Sequence, residues 1–129
     1  MAQISFLPEE QITLNRLGIR AVILFGSQAL GISHPNSDYD IAIIGSKTPK
    51  AYDYLYDLLS QKINQLVNID LVFLSDAPME LKNHVARHGQ VLYQSNPTEF
   101  ANFKEKTMTQ SADFAPLQAI FSTATLSRI

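Results

Sequence analysis

Apolar positions concentrate in three short runs separated by segments with helical spacing. The first, Ala21-Val22-Ile23-Leu24-Phe25, has the length and continuity of a strand covered on both faces, and it stops abruptly at Gly26-Ser27. The second, Tyr39 to Ile44, is closed by Gly45, and the third runs from Ile69 to Leu74. Upstream of the first run, Pro8-Glu9-Glu10 opens a helix: proline tolerates the first helical position, and acids there meet the positive end of the dipole. Leu14 and Leu17 give that helix its apolar face and Gly18 ends it. Between the second and third runs, Thr48-Pro49 reads as an N-cap and first helical residue. Tyr52, Leu55, Tyr56, Leu59, Ile63 and Leu66 follow on one helical face. A helix of that length between two strands is a crossover, which makes the second and third strands parallel neighbours.

Beyond the third run, Pro78 opens a short helix with Leu81 and Val85 inward and Gly89 at its end, and Val91-Leu92-Tyr93 adds a short edge strand. After Pro97 the pattern changes to a helical tail carrying Phe100, Phe103, Phe114, Leu117, Phe121 and Ala124, interrupted around Ala112 to Pro116. Those phenylalanines either pack on the chain's own sheet or form a stripe for a partner. The order predicts an α/β (α+β) fold, a small mixed sheet flanked by helices, with a C-terminal helical tail. We expect one domain over 1–129, its core spanning about 1–95 and its tail about 97–129.

Composition narrows the classes. The chain has 129 residues, 46% hydrophobic and 17% charged, enough apolar side chain for one buried core. Its net charge of −2 is unlike that of a domain built to grip nucleic acid, so no direct nucleic-acid binding is expected. With no cysteine there is neither a disulfide framework nor a thiolate metal site, which suits the cytosol. No secretory signal is visible, and no run approaches the ~20 apolar residues of a membrane span.

The candidate chemistry lies in the carboxylates. Asp38 and Asp40 stand two apart at the head of a strand, so their side chains leave one face, roughly 7 Å apart at the backbone. Facing solvent they repel weakly and need no metal; converging, they supply the oxygen ligands that Mg²⁺ prefers. Asp70 tips this balance: a carboxylate one residue into an apolar run is costly unless paired, protonated or metal-bound. Beside the second strand it would reach the other two. Gly26-Ser27 is either a plain strand-to-helix turn or a phosphate seat, with backbone amides and a hydroxyl at a helix start. Gly26 and Gly31 have the spacing of a Walker A loop, but Ile32 stands where its lysine belongs, so that motif is excluded.

Gly26-Ser27, Ser37-Asp38-Tyr39-Asp40 and the later Asp70 together resemble the polymerase-β-type nucleotidyltransferase superfamily. The Gly-Ser-x-Ala-x-Gly loop and short length resemble its minimal nucleotidyltransferase (MNT) branch. The likeness spans about residues 20 to 75, and more weakly Gly89 to Tyr93 and the tail. It implies a polymerase-β-like core and AMP transfer from ATP, in which two Mg²⁺ ions are held by Asp38, Asp40 and Asp70. Asp38 and Asp40 would ligate both ions. Asp70 would ligate the one nearer the acceptor and help take its proton, while Ser27 and the amides after Gly26 hold the β,γ-phosphates. It also implies a cytoplasmic antitoxin whose partner is a HEPN-domain ribonuclease toxin, modified on a tyrosine hydroxyl, and it allows a homo-oligomer or a hetero-oligomer with that toxin. One position departs from the branch: Leu30 precedes Gly31 where arginine is usual. That favours an alternative, an inactive antitoxin of the same fold that inhibits by binding. Transfer to a small-molecule hydroxyl would use the same site.

Other residues were weighed against blander roles. His84 and His88, four apart, have a zinc-compatible spacing, but Val85 replaces the glutamate of a zinc-protease helix, and a structural pair is the favoured reading. His34 lies in the loop before the aspartates. Tyr52 and Tyr56 are read as core or interface. Arg16, Arg20, Lys62 and Arg87 make no patch in sequence, though any one could replace the missing loop cation.

Overall fold

The computed structural model describes residues 4–26, 38–63 and 68–110. A four-stranded mixed sheet lies at its centre, built from β1 (Ile19–Phe25), β2 (Tyr39–Gly45), β3 (Ile69–Phe73) and β4 (Gln90–Gln94). The strand order is β3-β2-β1-β4. β2 and β3 are parallel, as the crossover length predicts; β1 runs antiparallel to both β2 and β4. Helix α1 (Pro8–Arg16) precedes β1, α2 (Pro49–Ile63) links β2 to β3, and α3 (Met79–His88) links β3 to β4. A further helix, α4, runs over 99–110.

Both sheet faces are covered, which is why the strands read as continuous apolar runs rather than alternating ones. On one face Val22, Leu24, Ile41 and Ile43 pack with Leu14 of α1 and with Leu55, Leu59 and Ile63 of α2. On the other, Ala21, Ile23, Phe25, Ala42 and Ile44 meet Val85 and Leu81 of α3 and Phe100 and Phe103 of α4. Each such leucine or isoleucine contributes roughly 1.5–3 kcal/mol by leaving water. The first two tail phenylalanines therefore pack on the chain's own sheet; Phe114, Leu117, Phe121 and Ala124 lie outside the described residues.

Several expectations are adjusted. β3 stops at Phe73, and Leu74 begins a single 3₁₀ turn, Leu74–Asp76. Tyr52, expected on the inward face of α2, is exposed and stacks on Tyr56, while Ala51 and Leu58 take inward places. Gly89 follows α3 without a left-handed turn, at φ −69°. The predicted cap of α2 is present: the Ala51 N–H donates to Thr48 Oγ1 at 3.1 Å. Leu66, the short helix expected after Ser27, and the break near Ala112 lie outside the described residues.

The two helices on the first face are joined by charge. Lys62 Nζ lies 2.8 Å from Glu10 Oε1 and 5.4 Å from the Phe6 ring centroid. Glu10 also accepts the Leu7 N–H at 2.8 Å, closing the first turn of α1. The hydrogen bond from Lys62 holds the Glu10 carboxyl below the usual glutamate range. A carboxyl lowered by folding lends stability that is complete above its unfolded value and is lost as pH falls through the folded one. Acid titration of Glu10→Gln is therefore expected to show a smaller loss of thermal stability below pH 5 than the parent chain, by a few tenths to about 1 kcal/mol.

Candidate active site

The site grows from strand register. The Tyr39 N–H donates to the Asn68 carbonyl at 2.9 Å, which aligns the heads of β2 and β3. From there Asp40 sits directly opposite Asp70, and across β1 it is opposite Phe25. Directly paired residues project to one side of a sheet, so Phe25, Asp40 and Asp70 form a row across three strands on the α3 face. Asp38 lies two residues before Asp40 and is exposed at the same end. The three carboxylates predicted to gather thus share the end of the sheet where β1 finishes and β2 and β3 begin.

Their burial differs from the expectation. Among the described residues β3 is an edge strand, and Asp70 is exposed rather than sunk in a buried run. The desolvated carboxylate is Asp40, half-buried between Tyr39 and Ile41. Burial is the main cause that raises its pKa above the usual aspartate value; the charges of Asp70 and then Asp38 raise it further, and His84 opposes them. Charge repulsion among the three is thus focused on the central one.

Gly26 closes the row. It has φ +79°, and a Cβ built on it would collide with Asp40 Oδ2. Glycine here permits both the left-handed turn out of β1 and the close approach of backbone to carboxylate. Ser27, Leu30 and His34 lie outside the described residues.

Sequence spacing favours a structural role for His84, and the structure places it on this face. Its ring meets Phe25 edge to face at 6.1 Å between centroids, and the His88 ring follows at 5.1 Å. Only the strand pairing that seats Phe25 beside Asp40 reveals this; the helix spacing alone carried no such signal. Two of the other candidate cations are engaged elsewhere: Lys62 with Glu10 on the opposite face, and Arg20 with Glu99 at 4.0 Å. Arg16 is exposed at the end of α1.

Among the described residues no group of three or more His, Cys, Asp or Glu side chains is arranged to hold a metal ion. The donor set nevertheless fits a hard divalent cation. It consists of carboxylate oxygens, and positive charge would relieve their mutual repulsion. Paired Cα positions on neighbouring strands lie ~4.8 Å apart, a gap that aspartate side chains close by rotation.

The family described as "Polymerase beta, Nucleotidyltransferase" matches residues 10–98. The chain belongs to that family. It is 28% identical over 111 residues to the protein adenylyltransferase MntA of Aphanizomenon flos-aquae, covering 78% of this chain and 73% of that protein. Among solved structures, it resembles a chain of a toxin–antitoxin complex crystallised with AMP-PNP, with a TM-score of 0.65 at 28% identity, covering 92% of this chain and 99% of that one. It also shares its fold with a chain of the complex between a tri-AMPylated HEPN toxin and an MNT antitoxin from Shewanella oneidensis. There the TM-score is 0.59 at 22% identity, over 91% of this chain and 94% of that one. The polymerase-β-like mixed sheet expected from sequence is the fold found. Among the described residues no helix is long and apolar enough to cross a membrane.

Proposed function

We propose that this chain is an antitoxin nucleotidyltransferase, transferring AMP from ATP to a tyrosine hydroxyl of a HEPN ribonuclease toxin and thereby silencing it. The observation that carries the reading is the register that sets Asp40 against Asp70, with Asp38 two residues away and Gly26 against the Asp40 carboxylate. The likeness to an adenylyltransferase and to a chain crystallised with AMP-PNP supports it. A cytoplasmic setting accords with the absence of cysteine.

Asp38, Asp40 and Asp70 would hold Mg²⁺, which when bound supplies Lewis-acid stabilisation of charge on the phosphoryl oxygens. Asp70, exposed on the edge strand, would take the proton of the attacking hydroxyl. Gly26 and Ser27 would seat the phosphates, with backbone N–H groups directed at them. Phe25 and Tyr39, both buried, would hold the strand ends that carry the carboxylates.

The test is incubation of the chain with α-labelled ATP, Mg²⁺ and its cognate toxin. Label on a toxin tyrosine, lost when the metal is chelated, is the expected result. A toxin neutralised without label would instead establish the binding-only reading that Leu30 favours.

A further inference from the structure

We propose that the outward edge of α3, formed by His84, Arg87 and His88, is a phosphate-binding surface that completes the nucleotidyl-transfer site; this rests on the function proposed above. The three residues stand at i, i+3 and i+4, so they share one helix face. They line an open cavity of about 670 Å³, whose wall also includes Asn83 and Glu80. His84 connects the cavity to the carboxylates, because it packs on Phe25, the strand partner of Asp40.

Charge accounting makes this edge matter. A triphosphate brought to three carboxylates needs more positive charge than the segment over 26–37 offers, since that segment has no lysine or arginine. Lys47, Lys62 and Arg20 are held by Asp76, Glu10 and Glu99. Arg87 is exposed and has no carboxylate partner among the described residues. Its planar guanidinium suits bidentate contact with phosphate oxygens. Glu80 lies two turns away on the same wall and keeps the cavity from being uniformly basic. Cations in the last turn of a helix also interact with its dipole. That role affects the stability of α3 and leaves nucleotide affinity unchanged, so the two are separable.

The phosphate could belong to the donor, as the triphosphate of ATP, or to an acceptor that already carries one AMP. Isothermal titration of the full chain with AMP-PNP and Mg²⁺ addresses the first source. Arg87→Ala is expected to weaken binding about tenfold, Arg87→Lys to recover part of the loss, and Arg16→Ala, a charge change on the other face, to have no effect. Mass spectrometry of the toxin addresses the second: unchanged AMP-PNP affinity with transfer arrested after the first AMP places the acceptor's phosphate at Arg87. Wild-type affinity together with a wild-type distribution of AMP additions in Arg87→Ala overturns the inference and leaves the proposed function standing. A wild-type chain that binds no nucleotide overturns both.

Discussion

Asp40→Asn is expected to reduce AMP transfer to the toxin by about a thousandfold or more while the chain stays folded. Asp40 is the middle carboxylate of the row, paired with Asp70 on one side and with Phe25 on the other, and it is the one most removed from water. Asparagine keeps its shape but lacks the negative charge and one anionic oxygen, the two properties that a hard cation requires. Stability should move the other way. Asp40 has a higher pKa in the folded chain than in the unfolded one, so it binds more protons when folded. Its contribution to stability therefore falls as pH rises through the interval between those values, and the penalty stands in full above it. Asp40→Asn removes that penalty, so without metal its melting temperature at neutral pH should equal or exceed that of the parent. A mutant keeping a tenth of wild-type label transfer would exclude Asp40 from the metal site, and a lower melting temperature would contradict the repulsion argument. Asp70→Asn, made at an exposed edge position, should impair transfer with a smaller change in stability.

Much of this geometry was legible in the sequence because it rests on local rules. The length of α2 between two apolar runs is sufficient to make β2 and β3 parallel, and parallel pairing at the strand heads is what unites Asp38, Asp40 and Asp70. Burial along β3 was not legible. Ile69, Leu71, Val72 and Phe73 read as a strand closed on both sides, yet β4 joins the sheet beside β1, leaving β3 at the edge with Leu71 and Val72 half-buried. Composition does not distinguish an edge strand from a central one; only the order of pairing does. The desolvated carboxylate is therefore Asp40 and not Asp70. Tyr52 misled for a related reason: helical periodicity defines a stripe, but its margin depends on how far the sheet extends beneath it, and Ala51 and Leu58 complete the contact instead. His84 could not be recognised from spacing, since its importance comes from Phe25, 59 positions earlier in the chain.

Gly26→Ala is expected to be the most damaging substitution at the site that leaves every charge in place. Two costs combine. At φ +79° an L-residue is strained, by about 1–2 kcal/mol, and the new methyl would occupy the position of Asp40 Oδ2. The carboxylate must then rotate away or the backbone must shift, and either displaces the central carboxylate of the row. The expected loss of transfer is about a hundredfold or more, since a misplacement near 1 Å is enough for that. Gly18→Ala separates the two costs. Gly18 has nearly the same dihedral, φ +83°, but its added Cβ would meet the Ser46 hydroxyl at 2.9 Å, a side-chain end that can turn aside. Both mutants should melt lower than the parent by similar amounts, yet Gly18→Ala should retain AMP transfer at temperatures where it is folded. Equal losses of activity in the two would mean that backbone strain alone limits the enzyme; a selective loss in Gly26→Ala ties activity to the position of the Asp40 carboxylate.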